Sequence, residues 1–294
     1  MVLRPDVPLE PFDELREPTV LDALLAAPSL VDLTAEQLRE RAEAGQIVDA
    51  DGRVVDPDAP VVRPVPVYLY RDLPDEPHVP FELEILHLDD DLVVVDKPHF
   101  LATMPRGRHV AQSALVRLRR ELGDDDVAPA HRLDRLTAGV LLFTRRREVR
   151  AAYQELFANR QVRKEYSALA PADERLRETV RVENRIEKTA GDLRALVVDG
   201  PVNAISDITL IRVRDDGLGE YRLNPHTGRT HQLRLHMAGL GVPIVGDPLY
   251  PEVDAELAAA LDRGDFANPL RLVASSLEFV DPLSGELRRF ARNG

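Results

Sequence analysis

The sequence predicts a mixed α/β fold of the α+β kind, with a largely antiparallel central sheet, flanking helices and a small separate N-terminal unit. Three observations carry this. Strand and helix signals mix irregularly, without the regular alternation that builds a doubly wound parallel sheet. Hairpin signals recur, at Asp51-Gly52, at Asp89-Asp90-Asp91 and near Asp216-Gly217. Charge is also uneven: residues 1–80 hold 7 Arg and 17 Asp or Glu, a balance of −10, whereas residues 81–294 carry a balance of only −3.

In chain order, "TVLDALLAA" and "TAEQLRERAEAG" have helical spacing, the second opening on Thr34 and closing on Gly45. "QIVDADGRVV" reads as a hairpin, and a Pro-rich stretch up to about Pro80 reads as a linker. The expected division is therefore 1–80, a small acidic unit, and 81–294, the larger domain. In the latter, "FELEILHLDDDLVVVDKPHF" gives two strands around the Asp turn. Leu115, Leu118 and Leu122 share a helical face that leaves Arg117, Arg119 and Arg120 largely free for solvent or ligand. "GVLLFT" is a short buried strand and "EVRAAYQELFANR" an amphipathic helix. "QVRKEYSALA" is a strand that points Lys164 and Tyr166 to one side. "ISDITLIRVRDDGLGEYRLNP" is a hairpin, and "THQLRLHMAGLG" a helix beginning on Thr230.

Composition narrows the function classes. With 44% apolar and 30% charged residues the chain has the makeup of a folded globular protein. No apolar run approaches the roughly 18 residues of a spanning helix, and "MVLRPDVPLEPFDEL" lacks the apolar core of a signal peptide. A cytoplasmic protein without a membrane partner is expected. Zero cysteines exclude disulfides, thiolate metal sites and a cysteine nucleophile. A net charge of −13 argues against a nucleic-acid partner until its distribution is read. "PRGRHVAQSALVRLRR" holds five Arg and no acid, and "RRREVR" and "RQVRK" follow. Such clusters are either solvated helix faces or phosphate-binding patches.

"HRLDRLTAGVLLFT" places Asp134 between Arg132 and Arg135, at the mouth of the buried strand. Burial raises a carboxyl above its usual value of about 3.9 and an arginine neighbour lowers it by roughly one to three units. An aspartate used as a nucleophile in a dry site therefore needs a cationic partner. The same pattern also suits a structural ion pair.

Together with "DKPHFL", "KEYSAL", "GRTHQLRLH" and "GDPLY", in that order, this segment resembles the RluA family of pseudouridine synthases over residues 81–294. The resemblance implies a central sheet of the pseudouridine synthase type with an RNA-binding cleft. It implies isomerisation of specific uridines in structured RNA, with 23S ribosomal RNA favoured and transfer RNA second. It places Asp134 as the catalytic aspartate, Tyr166 as the tyrosine packing on the target base and Arg234 as the basic partner of Asp134. Arg132 takes the space the flipped base leaves. Arg229 holds either the aspartate or a phosphate, and Lys97, Arg106, Arg108, Arg135 and Lys164 are further RNA contacts. The reaction involves no redox change, so no cofactor or metal is expected; a monomer is favoured.

The chain departs from the family at Ala138, where Ser is usual, and at Val273 in "LVAS", where His is usual. Residues 1–80 resemble an S4-like RNA-binding domain in two helices and a hairpin. The −10 balance contradicts that role and leaves a degenerate version or an unrelated cap. Two rival functions stand beside the enzyme. One is a catalytically inactive RNA-binding protein of the same fold, and the other a sugar hydrolase, which needs a second carboxylate near Asp134. His226, His231 and His236 are spaced by five, which does not stack two metal ligands on a helix face, so local hydrogen-bonding roles are expected.

Overall fold

The computed structural model describes residues 2–3, 17–70, 76–105 and 109–292. The chain divides into two compact units, Met1–Pro74 and Asp75–Gly294. Among the described residues no helix is long and apolar enough to cross a membrane.

In the first unit, two short pairs, β1 (Val2–Leu3) with β3 (Val65–Pro66) and β2 (Ile47–Val48) with β4 (Tyr68–Leu69), accompany helices α1 (Val20–Leu25) and α2 (Ala35–Glu43). Both helices open on capping boxes, Thr19 with Asp22 and Thr34 with Gln37, which satisfy two otherwise orphaned backbone donors each. Leu24, Leu38, Ile47 and Val67 are fully buried in a small core of this unit's own. The Asp51-Gly52 turn forms as read, with Asp49 Oδ1 accepting from the amides of Asp51 and Arg53.

The second unit begins inside the stretch read as linker. Residues 76–81 fold with it because they hold other segments: Glu76 accepts from the amides of Val110, Ala111 and Gln112, and Arg117 donates to the carbonyls of Val79 and Phe81. Arg117 is thus not free for ligand, and neither is Arg119, whose Nε and Nη2 both donate to the Val127 carbonyl.

This unit is built on strands β5 (Glu84–Leu88), β6 (Leu92–Lys97), β7 (Ala128–Pro129), β8 (Ala138–Thr144), β9 (Arg163–Pro171), β10 (Val180–Glu187), β11 (Leu196–Val198), β12 (Ala204–Val213), β13 (Leu218–Pro225), β14 (Leu272–Val280) and β15 (Leu287–Ala291). They form one 11-stranded sheet in the order β11-β10-β12-β13-β9-β14-β8-β6-β5, with β15 on β14 and β7 on β8. The β8–β14 pair is parallel and its neighbours are antiparallel, giving the mixed, largely antiparallel sheet that was expected. Helices α3 (Ala114–Leu122), α4 (Arg147–Ala158), α5 (Gln232–Gly239) and α6 (Ala255–Asp262) complete the unit.

Strand β8 explains its own sequence. Every residue of "AGVLLFT" is buried because the two faces of the strand meet two cores. Leu141 and Phe143 pack with Val93, Val95, Leu115 and Leu118, while Val140 and Leu142 pack with Val94, Val149, Tyr153 and Leu156. Each such side chain contributes roughly 1.5–3 kcal/mol of burial. Gly139 is required where β8 meets β14: its φ is +113°, and a Cβ there would lie 2.1 Å from the Ala274 carbonyl oxygen.

Candidate active site

The segment ahead of β8 is pinned on both sides of Asp134 by the residues that follow β6. Thr103 Oγ1 donates to the Leu133 carbonyl at 2.8 Å and accepts from its amide at 3.0 Å. His99 Nδ1 donates to the Leu136 carbonyl at 2.8 Å. The Thr137 amide closes the turn on the Asp134 carbonyl at 3.1 Å. The half-buried Asp134 side chain is thereby held at a cleft of about 500 Å³. The other walls are the end of α4, the start of β9 and residues 225–234.

Tyr166 and Lys164 line this cleft together, as their spacing on β9 requires. Burial, and then the Asp134 charge, push the Tyr166 phenol upward, so it stays a neutral ring with an intact O–H. His131 is pushed down to about 3 by burial and then by Lys164. Its Nε2 accepts from the Leu142 amide at 3.2 Å, and its ring stacks on Phe157 with centroids 4.2 Å apart. His231 is lowered to about 4 by burial and then Arg234, against the pull of Asp134. Both imidazoles are therefore neutral at pH 7. Asp134 is the single carboxylate among the lining residues, which include Arg132, Arg160, Lys164, Arg229 and Arg234.

The loop before α5 is organised by Gln232. Its Oε1 accepts from the Arg229 amide at 3.0 Å and the Thr227 hydroxyl at 2.7 Å, while its Nε2 donates to the Ile205 carbonyl and Ser206. This bonding delays the helix to Gln232, rather than Thr230, and leaves His231 at its N-cap with φ 57°.

Several expected site residues are placed otherwise. Arg234 does not pair with Asp134: it donates to both Asp247 oxygens, at 2.7 and 2.6 Å, with both side chains almost fully buried. A bidentate carboxylate satisfies the guanidinium fork better than a half-exposed one can. Lys97 cannot contact RNA, because it is fully buried and its ammonium donates to the carbonyls of Pro98, Leu101 and Arg135. Burial brings it down to about 7, against the Asp134 charge that raises it. Arg135 turns away to Asp262 on α6, 3.8 Å distant, and lines a different pocket. Arg106 and Arg108 lie outside the described residues. Arg132, Arg229 and Lys164 do line the cleft, Arg132 and Arg229 exposed; Arg229 Nε donates to the Asn203 carbonyl at 3.2 Å.

Phe157, Arg160, His131 and His231 were missed as cleft residues. The "RQVRK" cluster gives a signal for Arg160, whereas Phe157, an apolar residue of an amphipathic helix, gives none. His226 binds Asp207 at 2.7 Å and His236 Nε2 meets Asn184 Oδ1 at 3.1 Å. Among the described residues no group of three or more His, Asp or Glu is placed to hold a metal. The two departures from the family pattern meet: Ala138 and Val273 are register partners across the parallel β8–β14 pair.

Comparison with known proteins adds the class of chemistry. Residues 91–239, about half the chain, match the family model described as RNA pseudouridylate synthase. An uncharacterized RNA pseudouridine synthase of Synechocystis is 34% identical over 221 residues, covering 72% of this chain and 73% of that one. The dual-specificity RNA pseudouridine synthase RluA of Pasteurella multocida is 30% identical over 223 residues, covering 71% and 92%. Among solved structures, human RNA pseudouridylate synthase domain containing 4 superposes with a TM-score of 0.55 at 26% identity, covering 71% of this chain and 88% of that one.

Proposed function

Because the chain belongs to the RNA pseudouridylate synthase family, and within it to the RluA type, we propose that it isomerises specific uridines of structured RNA with Asp134 as the catalytic group. The preferred substrate is 23S ribosomal RNA, with transfer RNA second. Enzymes of this family convert uridine in RNA to pseudouridine. The bond from C1′ to N1 breaks, the base turns, and C1′ joins C5, which gives up its proton while N1 gains one. Electrons balance within the nucleotide, so the residues themselves can carry the reaction.

The observation that carries this reading is a single carboxylate, Asp134, in a cleft whose other ionisable side chains are cationic or neutral. A lone aspartate in that setting is placed to attack the sugar or to remove the C2′ proton. It also disfavours a hydrolase with paired carboxylates, since the lining offers no second acid. Extruding the base costs a few kcal/mol. The neutral Tyr166 ring recovers about 1–3 kcal/mol by stacking. Arg132, exposed beside Asp134, fills the space the base leaves, and Arg229 and Lys164 meet the backbone phosphates. Arg234, held rigidly by Asp247, contributes a fixed guanidinium to the cleft wall in place of an ion pair with Asp134.

The test is to incubate purified protein with unmodified transcripts of 23S ribosomal RNA and of transfer RNAs, and to quantify pseudouridine chromatographically after digestion. Pseudouridine should form in the ribosomal transcript and vanish with Asp134→Asn. Formation only in transfer RNA contradicts the substrate assignment. Formation in neither contradicts the enzyme.

A further inference from the structure

Beyond the target uridine, one end of the cleft has the makeup of a second nucleotide site. α4 ends in a Schellman turn, with the Gln161 amide on the Leu156 carbonyl at 2.8 Å and the Arg160 amide on the Phe157 carbonyl at 3.2 Å. Glycine is the usual residue at the left-handed position of that turn; here it is Arg160, with φ 59°, exposed. Its neighbour Lys164 is half-buried and has no carboxylate partner among the described residues. Arg160 and Lys164 line the same cleft, where burial, and then Arg160, lower the Lys164 ammonium. Such a pair is short of an anion. Beside it stands the Phe157–His131 stack, tilted by only 17°, fixed by the Leu142 amide and uncharged at neutral pH.

We propose that Phe157, Arg160 and Lys164 form a subsite for a nucleotide flanking the target uridine, its base against the Phe157–His131 stack and its phosphate between the two cations. The ligand is one unpaired nucleotide of an RNA loop. Stacking accepts any base, so the subsite selects for an unpaired neighbour rather than for a sequence. This rests on the RNA reading of the cleft but not on turnover, which allows the two to fail separately.

The test is equilibrium binding of fluorescein-labelled octauridylate to the full chain across a salt series. Arg160→Gly suits the left-handed backbone, so it folds without strain, and Lys164→Met keeps the stem. Each should weaken binding and reduce the slope of log affinity against log salt by about 0.7. Phe157→Leu should weaken binding about tenfold with the slope unchanged. If both cation variants keep the wild-type slope, or if Phe157→Leu melts normally and binds as wild type, the subsite is overturned. Should Phe157→Leu melt early, the Arg160→Gly slope decides. Absence of pseudouridine formation with these slope changes present would contradict the proposed reaction and leave the subsite standing.

Discussion

The interior beside the cleft and the cleft's exposed rim draw on the same residue types and put them to opposite use. In the interior, Lys97, behind the lining residues, and Arg234, in the cleft wall, are buried and fully partnered, one by three carbonyls and the other by Asp247. On the rim, Arg132, Arg160 and Arg229 are exposed and make no ion pair among the described residues. A cation with its partner already supplied holds the chain in place. A cation left without one is available to an incoming phosphate. The same short motifs, "HRLDR" and "GRTHQLR", contain both kinds.

Variants that break this contrast should rank by how much they leave unsatisfied. Arg234→Leu strands the Asp247 carboxylate in the interior and should cost about 3–5 kcal/mol in urea unfolding. A loss under 1 kcal/mol would mean that Asp247 finds water. Lys97→Met removes the donor from three carbonyls and should cost about 2–3 kcal/mol by the same measurement.

Acid should act on the interior in a definite direction. His131, His231 and His236 are lowered from 6.5 to about 3, 4 and 4. Between those values and 6.5 the unfolded chain binds more protons than the folded one, so stability falls as pH drops through that window. Thermal melts from pH 7 to 4 should show the loss, and His236→Gln should make it shallower. A melting temperature independent of pH over that range would contradict the buried, neutral imidazoles.

Ala138 and Val273 offer a finer test of packing beneath the site. Ala138→Ser alone places a hydroxyl where Val273 offers no partner. Ala138→Ser with Val273→His restores the family pair. A double-mutant cycle should give a favourable coupling of roughly 0.5–3 kcal/mol, whereas additivity would show that the two positions changed independently. At the rim, Arg132→Ala should move stability by less than about 0.5 kcal/mol, while pseudouridine formation falls.

Much of this was readable from the chain because it is local. A fully apolar "GVLLFT", a helical "EVRAAYQELFA" and the Asp89 turn need only their neighbours to be interpreted. The alternation of β9 placed Lys164 and Tyr166 on one side, and the structure keeps them there. What escaped is non-local. Arg234 meets Asp247 beyond its own helix, and Arg135 meets Asp262 far along the chain. The helical reading of "THQLRLHMAGLG" could not reveal that Gln232–Met237 is buried all round. The burial of Lys97 depends on three carbonyls from two separate loops, which no periodicity encodes.

The most direct measurement is a pseudouridine map of total RNA from cells lacking the protein, complemented with wild type or with Asp134→Ala. One or a few sites should disappear without the protein, return with wild type and stay absent with Asp134→Ala. Restoration by Asp134→Ala, or a map that does not change when the protein is removed, would contradict the assignment of Asp134 as the catalytic carboxylate of an RNA uridine isomerase.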